Sequence, residues 1–397
     1  MAGPGFGFSP SRGARRRHGA ASAPAGPTAR FTMTQLAAAN RIYQRQSSTD
    51  GGEGKGQGVI RVAITASQTG SVQARCRSAA DGTTILQGPW SAAAITGTGA
   101  QTLDIQGVDA RLGWFYLDLL DNSGVWKQGT TPVGMGALIA VSGQSLMSRF
   151  LGRVDGEDST TLAALGIIPS PFARAFIKYT DGGTHEASAW ESPADAAQSA
   201  APTSAGAAEL LNLRIATLGV NCGVIGYARG ATAIGTWQAG QSDGTELATV
   251  IANAGGAFES FFWFQGHGDA VNGTSSYAHY QTALTSFFAF VGSLNARSFT
   301  IYMAAIPNID GWNWGDRKQR SEIRKAQQDW CTDHGATYLS FADLELTSDN
   351  IHERQAGARR IARHLHRAML AETGSANDAG PRVTAASRSS RDITLSV

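Results

Sequence analysis

The stretch Ala137-Leu138-Ile139-Ala140-Val141-Ser142-Gly143-Gln144-Ser145 decides how the rest of the chain is read. An uncharged, mostly apolar run ends abruptly in Gly-Gln-Ser. A short apolar run closed by a glycine reads as a strand buried on both faces, the pattern of a parallel sheet covered by helices. Gly143 marks a sharp exit. Ser145 then stands at the carboxyl end of the strand, where open α/β sheets place their ligands.

The same alternation continues downstream. Apolar strands are expected at 137–142, 221–227, 258–264, 298–304 and 336–341, and amphipathic helices at 244–253, 277–294, 316–334 and 354–370. Strands separated by helices predict an α/β domain with a parallel sheet, here over 134–372. Residues 156–206, rich in Ser, Ala, Pro and Asp, read as loop-rich decoration. Upstream the period changes to two. Ile60, Val62 and Ile64 alternate with Arg61 and Ala63; Val72, Ala74 and Cys76 alternate with Gln73, Arg75 and Arg77. A strand over 114–120 meets the turn Asp121-Asn122-Ser123-Gly124 and returns through Val125-Trp126. Short strands without helices predict a small antiparallel β-sandwich over 42–133. Residues 1–41 and 373–397 lack the apolar side chains that would offset ordering entropy and are expected to be disordered.

Composition narrows the function classes. At 42% hydrophobic and 16% charged the 397-residue chain is globular. A net charge of +2 gives no reason to expect nucleic acid as a partner. No apolar run reaches transmembrane length and no signal peptide is visible. The compartment is left open: periplasmic or secreted if the substrate is an exported polysaccharide, cytoplasmic otherwise. Cys76, Cys222 and Cys331 share no close spacing, so they read as buried small hydrophobes rather than a zinc site or disulfide framework. The Ala/Gly/Arg-rich composition suits a bacterial origin.

The chemistry is carried by few residues. A serine hydroxyl is a weak nucleophile until a base takes its proton. Asp349-Asn350-Ile351-His352 stands just before the last helix. His352 is the candidate base and Asp349 the candidate orienter of its imidazole; Asp349 also suits a helix N-cap. Acyl transfer needs donors for a developing oxyanion. Candidates are the backbone N–H of Ser145, the backbone at Gly230 and the Gln265 amide. Trp237, Trp312 and Trp314 fall in loops after strands, where aromatic faces suit sugar rings or pack under the loops. Gln144 and His267 are further candidate substrate contacts. A metal set of His267, Asp269, His279 and His352 ranks below the triad because its ligand count is incomplete. His334, His364 and His366 read as surface helix residues.

Gly143-Gln144-Ser145, Gly230, Gln265-Gly266 and Asp349-x-x-His352 resemble the four blocks of the SGNH (GDSL-like) hydrolases. The resemblance is strongest to the carbohydrate O-acetylesterase branch, which includes sialate O-acetylesterase and acetylxylan esterases. Residues 230–237, ending in Trp237, and Arg324-Lys325-Ala326-Gln327 are also similar to family segments. The resemblance implies a flavodoxin-like three-layer α/β/α sandwich, a Ser145–His352–Asp349 triad and oxyanion donors at Ser145, Gly230 and Gln265. It implies an acetylated carbohydrate substrate and no metal or cofactor, and it leaves the oligomeric state open. Two positions depart from the branch. Leu146 follows the serine where Asn is usual, and His267 stands where Glu is frequent. An acetyltransferase using the same triad is one alternative. A silent glycan-binding or assembly factor of exopolysaccharide synthesis, cellulose for example, is another.

Overall fold

The computed structural model describes residues 30–35, 39–52, 54–121, 124–152, 160–180, 184–186, 189–193, 205–273, 275–307, 317–341, 344, 352–372, 385–388 and 393–396. The antiparallel region contains β1 (Phe31–Gln35), β2 (Arg41–Gln44), β3 (Gln57–Ala66), β4 (Gly70–Ser78), β5 (Ile85–Ile95), β6 (Gly99–Asp109), β7 (Phe115–Leu120) and β8 (Trp126–Lys127). One sheet has the order β1-β3-β6; β4 pairs with β5 and β7, and β7 with β8. The alternation in the sequence is the reason for this arrangement. Ile60, Val62 and Ile64 of β3 turn inward with Leu103 and Ile105 of β6. They share one core with Val72, Ala74 and Cys76 of β4 and Leu117 and Leu119 of β7. Arg61, on the other face of β3, is exposed.

The α/β region runs through β9 (Val133–Gly143), α1 (Ser145–Leu151), β10 (Ala173–Thr180), β11 (Thr184–His185), α2 (Ala205–Leu218), β12 (Asn221–Arg229), α3 (Ser242–Ala254), β13 (Ser260–Phe264), α4 (His267–Asn272), α5 (Tyr277–Leu294), β14 (Thr300–Ala304), α6 (Arg317–His334), β15 (Thr337–Leu339) and α7 (Gln355–Glu372). A 3₁₀ turn at Ile234–Trp237 follows β12. Strand order is β11-β10-β12-β9-β13-β14-β15, parallel except for β11. The five strands β12-β9-β13-β14-β15 follow the flavodoxin-like order, with β10 and β11 added at one edge. The switch point, where the chain turns from one side of the sheet to the other, is at β9, the strand that ends in Gly143.

Every residue of β9 is buried, as a strand covered on both faces requires. In β13 the side chains sort by parity. Phe262 and Phe264 enter the core shared with α1, α2 and α7; Phe261 and Trp263 enter the core shared with α3, α5 and α6. Helix α7 meets the sheet through Ala358, Ile361, Ala362, Leu365 and Met369, one stripe at helical spacing.

Several expectations are corrected. Phe31–Gln35, placed in a disordered segment, pairs antiparallel with β3. Ala385–Arg388 and Ile393–Ser396 (β16 and β17), placed in a disordered tail, pair as a hairpin. The region 156–206 is not only decoration, since β10 lies in the sheet beside β12 along eight residues and α2 begins at Ala205. Its pattern, Ala-Arg-Ala-Phe-Ile-Lys-Tyr-Thr, carries two cations that break the apolar run. Lys178 reaches Glu246 at 2.9 Å instead of lying inside. The two regions are also continuous: β9 begins by pairing with β2 and with Phe115 of β7, then passes into the parallel sheet. His366 is buried, with Nε2 3.3 Å from Thr217 Oγ1, because its helix face packs on α2. All three cysteines are buried free thiols; burial pushes Cys222 and Cys331 up to about 12.

Candidate active site

Three strand ends form the site. Register sets Ala228 of β12 and Phe264 of β13 on either side of Gly143. Ser145, Gly230 and Gly266 each lie two residues further, abreast at the carboxyl edge. Gly143 is required where it stands. Its φ is +154°, and a Cβ there would lie 2.1 Å from the Phe264 carbonyl oxygen. The close approach lets Gln144 N donate to that same carbonyl at 3.1 Å, and the chain then enters α1 at Ser145.

Ser145 Oγ and His352 Nε2 are 2.9 Å apart, across 207 residues of sequence. The serine is 8% exposed and the imidazole half-buried. The next residue, Glu353, is anchored from α1, where the buried Arg149 donates through Nη1 to the Glu353 carbonyl at 3.2 Å. The helix that Ser145 opens therefore holds the segment that carries the imidazole. Asp349, Trp312 and Trp314 lie outside the described residues.

The other predicted residues brace the loops. Gln144 is buried, and its Oε1 accepts from Gly268 N at 3.0 Å and Gly266 N at 3.4 Å. It ties the serine turn to the loop after β13 through its amide oxygen. Gln265 is fully buried. Its Nε2 donates to the Thr232 carbonyl at 2.9 Å and to Asp269 Oδ2 at 2.6 Å, while Oε1 accepts from the Tyr280 hydroxyl at 2.9 Å. Both amide hydrogens are thus engaged away from any oxyanion, a correction whose cause is the buried Asp269 beside it. Trp237 is likewise corrected. It is fully buried between Tyr227 and Trp263, and its indole N–H donates to Thr232 Oγ1 at 3.0 Å. His267 opens α4, largely buried, and Leu146 lies wholly in the core. The departure at 146 therefore faces the interior.

Asp269, weighed in the sequence only as a metal ligand, is the hub of this bracing. Fully buried, it accepts from Ile234 N at 2.9 Å, Gln265 Nε2 at 2.6 Å and Ser275 Oγ at 2.7 Å. Burial pushes its pKa up against the pull of these three donors. The signal available in sequence was its place four residues after Gln265, inside the first turn of α4. Among the described residues no group of three or more His, Cys, Asp or Glu side chains is arranged to hold a metal.

Residues 182–371 match the family model described as carbohydrate esterase, sialic acid-specific acetylesterase. The match spans Gly230, Gln265 and His352 and begins after Ser145. A carbohydrate acetylesterase from Xanthomonas citri superposes with a TM-score of 0.60 at 16% identity, covering 90% of this chain and 79% of its own. A protein from Arabidopsis thaliana covers 59% of this chain and 98% of its own at 21% identity, TM-score 0.44. A carbohydrate acetylesterase from Sinorhizobium meliloti covers 59% and 99% at 12% identity, TM-score 0.37. Curated protein sequences yield no match. The fold is that of the SGNH hydrolases. The matched segment, just under half of the chain, is similar to the carbohydrate esterase family of sialic acid-specific acetylesterases.

Proposed function

We propose that this protein is a serine esterase that removes O-acetyl groups from a carbohydrate, a polysaccharide by preference. The observation that carries the reading is the 2.9 Å contact between Ser145 Oγ and His352 Nε2 at the switch point of the sheet. With the proton on Nδ1, Nε2 takes the serine proton as Oγ attacks the acetyl carbonyl. Asp349, three residues before, holds that tautomer. The negative oxygen of the tetrahedral intermediate accepts from the backbone N–H groups of Ser145 and Gly230. The intermediate collapses to acetyl-Ser145 as His352 returns the proton to the departing sugar oxygen. Water, deprotonated by His352, then attacks the acetyl carbonyl. Acetate leaves and Oγ recovers its proton.

Support for the carbohydrate comes from the family of residues 182–371. The test measures acetate released from acetylated xylan, acetylated cellulose and O-acetylated sialic acid. Wild type should release acetate from at least one. Ser145→Ala should be slower by about 10⁴-fold or more. Equal rates for the two proteins would remove the esterase reading.

A further inference from the structure

At the amino edge of the parallel sheet lies a cavity of about 450 Å³, within the size range of small-molecule sites. It opens between Ser48, Gly54 and Lys55 of the antiparallel region and the starts of β13 and β14, walled by the ends of α2 and α7. Among the described residues its charged lining is four cations, Arg45, Lys55, Arg214 and Arg297, and two acids, Glu259 and Glu372.

The acids are already engaged. Glu259 accepts from Arg45 Nε, Arg214 Nη2 and Gln44 Nε2, each at 3.2 Å. Glu372 accepts from two neutral hydroxyls, Tyr302 at 2.7 Å and Thr337 at 2.6 Å. Among the described lining residues two positive charges are left in excess. Arg214 is 5% exposed, and its Nε is buried without a hydrogen-bond partner, as is the Nε of Arg297. Lys55 makes no ion pair among the described residues. Buried donors are nearly always satisfied, and uncompensated buried charge is costly. Guanidinium forks match the oxygens of carboxylates and phosphates. Ser48, Ser260 and Thr300 line the same space.

We propose that this cavity binds a small hydroxylated oxyanion, an anionic sugar whose head group is a phosphate ester or a carboxylate. The five residues of β13, roughly 16 Å of strand, separate this edge from the edge that carries Ser145. The ligand is therefore distinct from the ester under attack, and the inference stands apart from the esterase reading.

Calorimetric titration of the full chain with inorganic phosphate, glucose 6-phosphate, glucuronate and neutral glucose tests it. At least one anion should bind saturably at one site while glucose does not bind. The tighter of the two sugar anions identifies the source. Lys55→Gln and Arg214→Gln should each weaken binding about tenfold or more, and Ser145→Ala should leave it unchanged. If Arg214→Gln does not fold, Lys55→Gln decides alone. Absence of saturable binding at millimolar anion overturns the proposal, as does binding insensitive to Lys55→Gln or lost in Ser145→Ala.

Discussion

The two edges of the parallel sheet are held by different forces. At the carboxyl edge the loops after β9, β12 and β13 are fastened by backbone groups and neutral side chains around one acid. Gln144 accepts from Gly266 and Gly268, Gln265 donates to Thr232, and Asp269 gathers three donors. At the amino edge charge does the fastening. Glu259 draws Arg45 from the antiparallel region and Arg214 from α2 onto the start of β13. The contrast has a physical sense. In the proposed reaction a proton moves between Ser145 and His352, and strong fixed charges nearby would bias where it rests. Geometry around Ser145 is set by glycine turns and hydrogen bonds, while the ion pairs of the carboxyl edge, Arg229 with Asp243 and Lys178 with Glu246, stand at the ends of β12 and β10.

His352→Ala gives the largest expected effect. Hydrolysis of p-nitrophenyl acetate should fall by about 10⁴-fold in kcat/KM, with folding stability within about 0.5 kcal/mol of wild type. A loss under about tenfold would break the assignment of catalysis to the carboxyl edge. Glu259→Gln should act in the opposite sense, on stability. Urea unfolding is expected to show a loss of about 3 kcal/mol, because Arg45 and Arg214 stay buried against a neutral partner. A loss below about 1 kcal/mol would show that charge does not hold the amino edge.

Asp269→Asn sharpens the comparison. It sets an N–H among three converging donors, so stability should drop by about 2 kcal/mol and turnover should fall with it. Unchanged kcat at reduced stability would show that the bracing does not reach Ser145. The smallest effect concerns His185, buried at 3% exposure and stacked on Tyr179 at 5.6 Å. Burial lowers its pKa despite Glu191 nearby. The folded state then binds fewer protons than the unfolded one, so this contribution is present above pH about 6.5 and lost as pH falls below it. His185→Gln should flatten that slope between pH 7 and 5 by no more than about 1 kcal/mol once solvent screening is counted. An identical pH profile in the variant would refute it.

Much of the fold was legible in local pattern. Helix α5 occupies the predicted 277–294, and β12 begins at the predicted Asn221. Strand β10 was not legible, because Arg174 and Lys178 interrupt its apolar run and only its place beside β12 shows that it is core. The candidate site divides in the same way. Its serine turn could be read because Gly143 is demanded by a local φ and a close backbone approach. The fate of the Gln265 amide and the Trp237 ring could not. A polar or aromatic side chain in a loop after a strand suits a substrate or a core equally well, and the choice depends on Asp269, Tyr280 and Trp263 arriving from elsewhere.

The amino-acid order alone determined the periods of the two regions, the sharp turn into Ser145 and a histidine close to the last helix. Those features depend on neighbours within a few residues, where steric limits and side-chain periodicity suffice. Only tertiary structure decided that Ser145 and His352 meet across 207 residues, and that Gln265 and Trp237 turn inward. Those outcomes depend on how buried polar groups are shared among strands and helices distant in the chain.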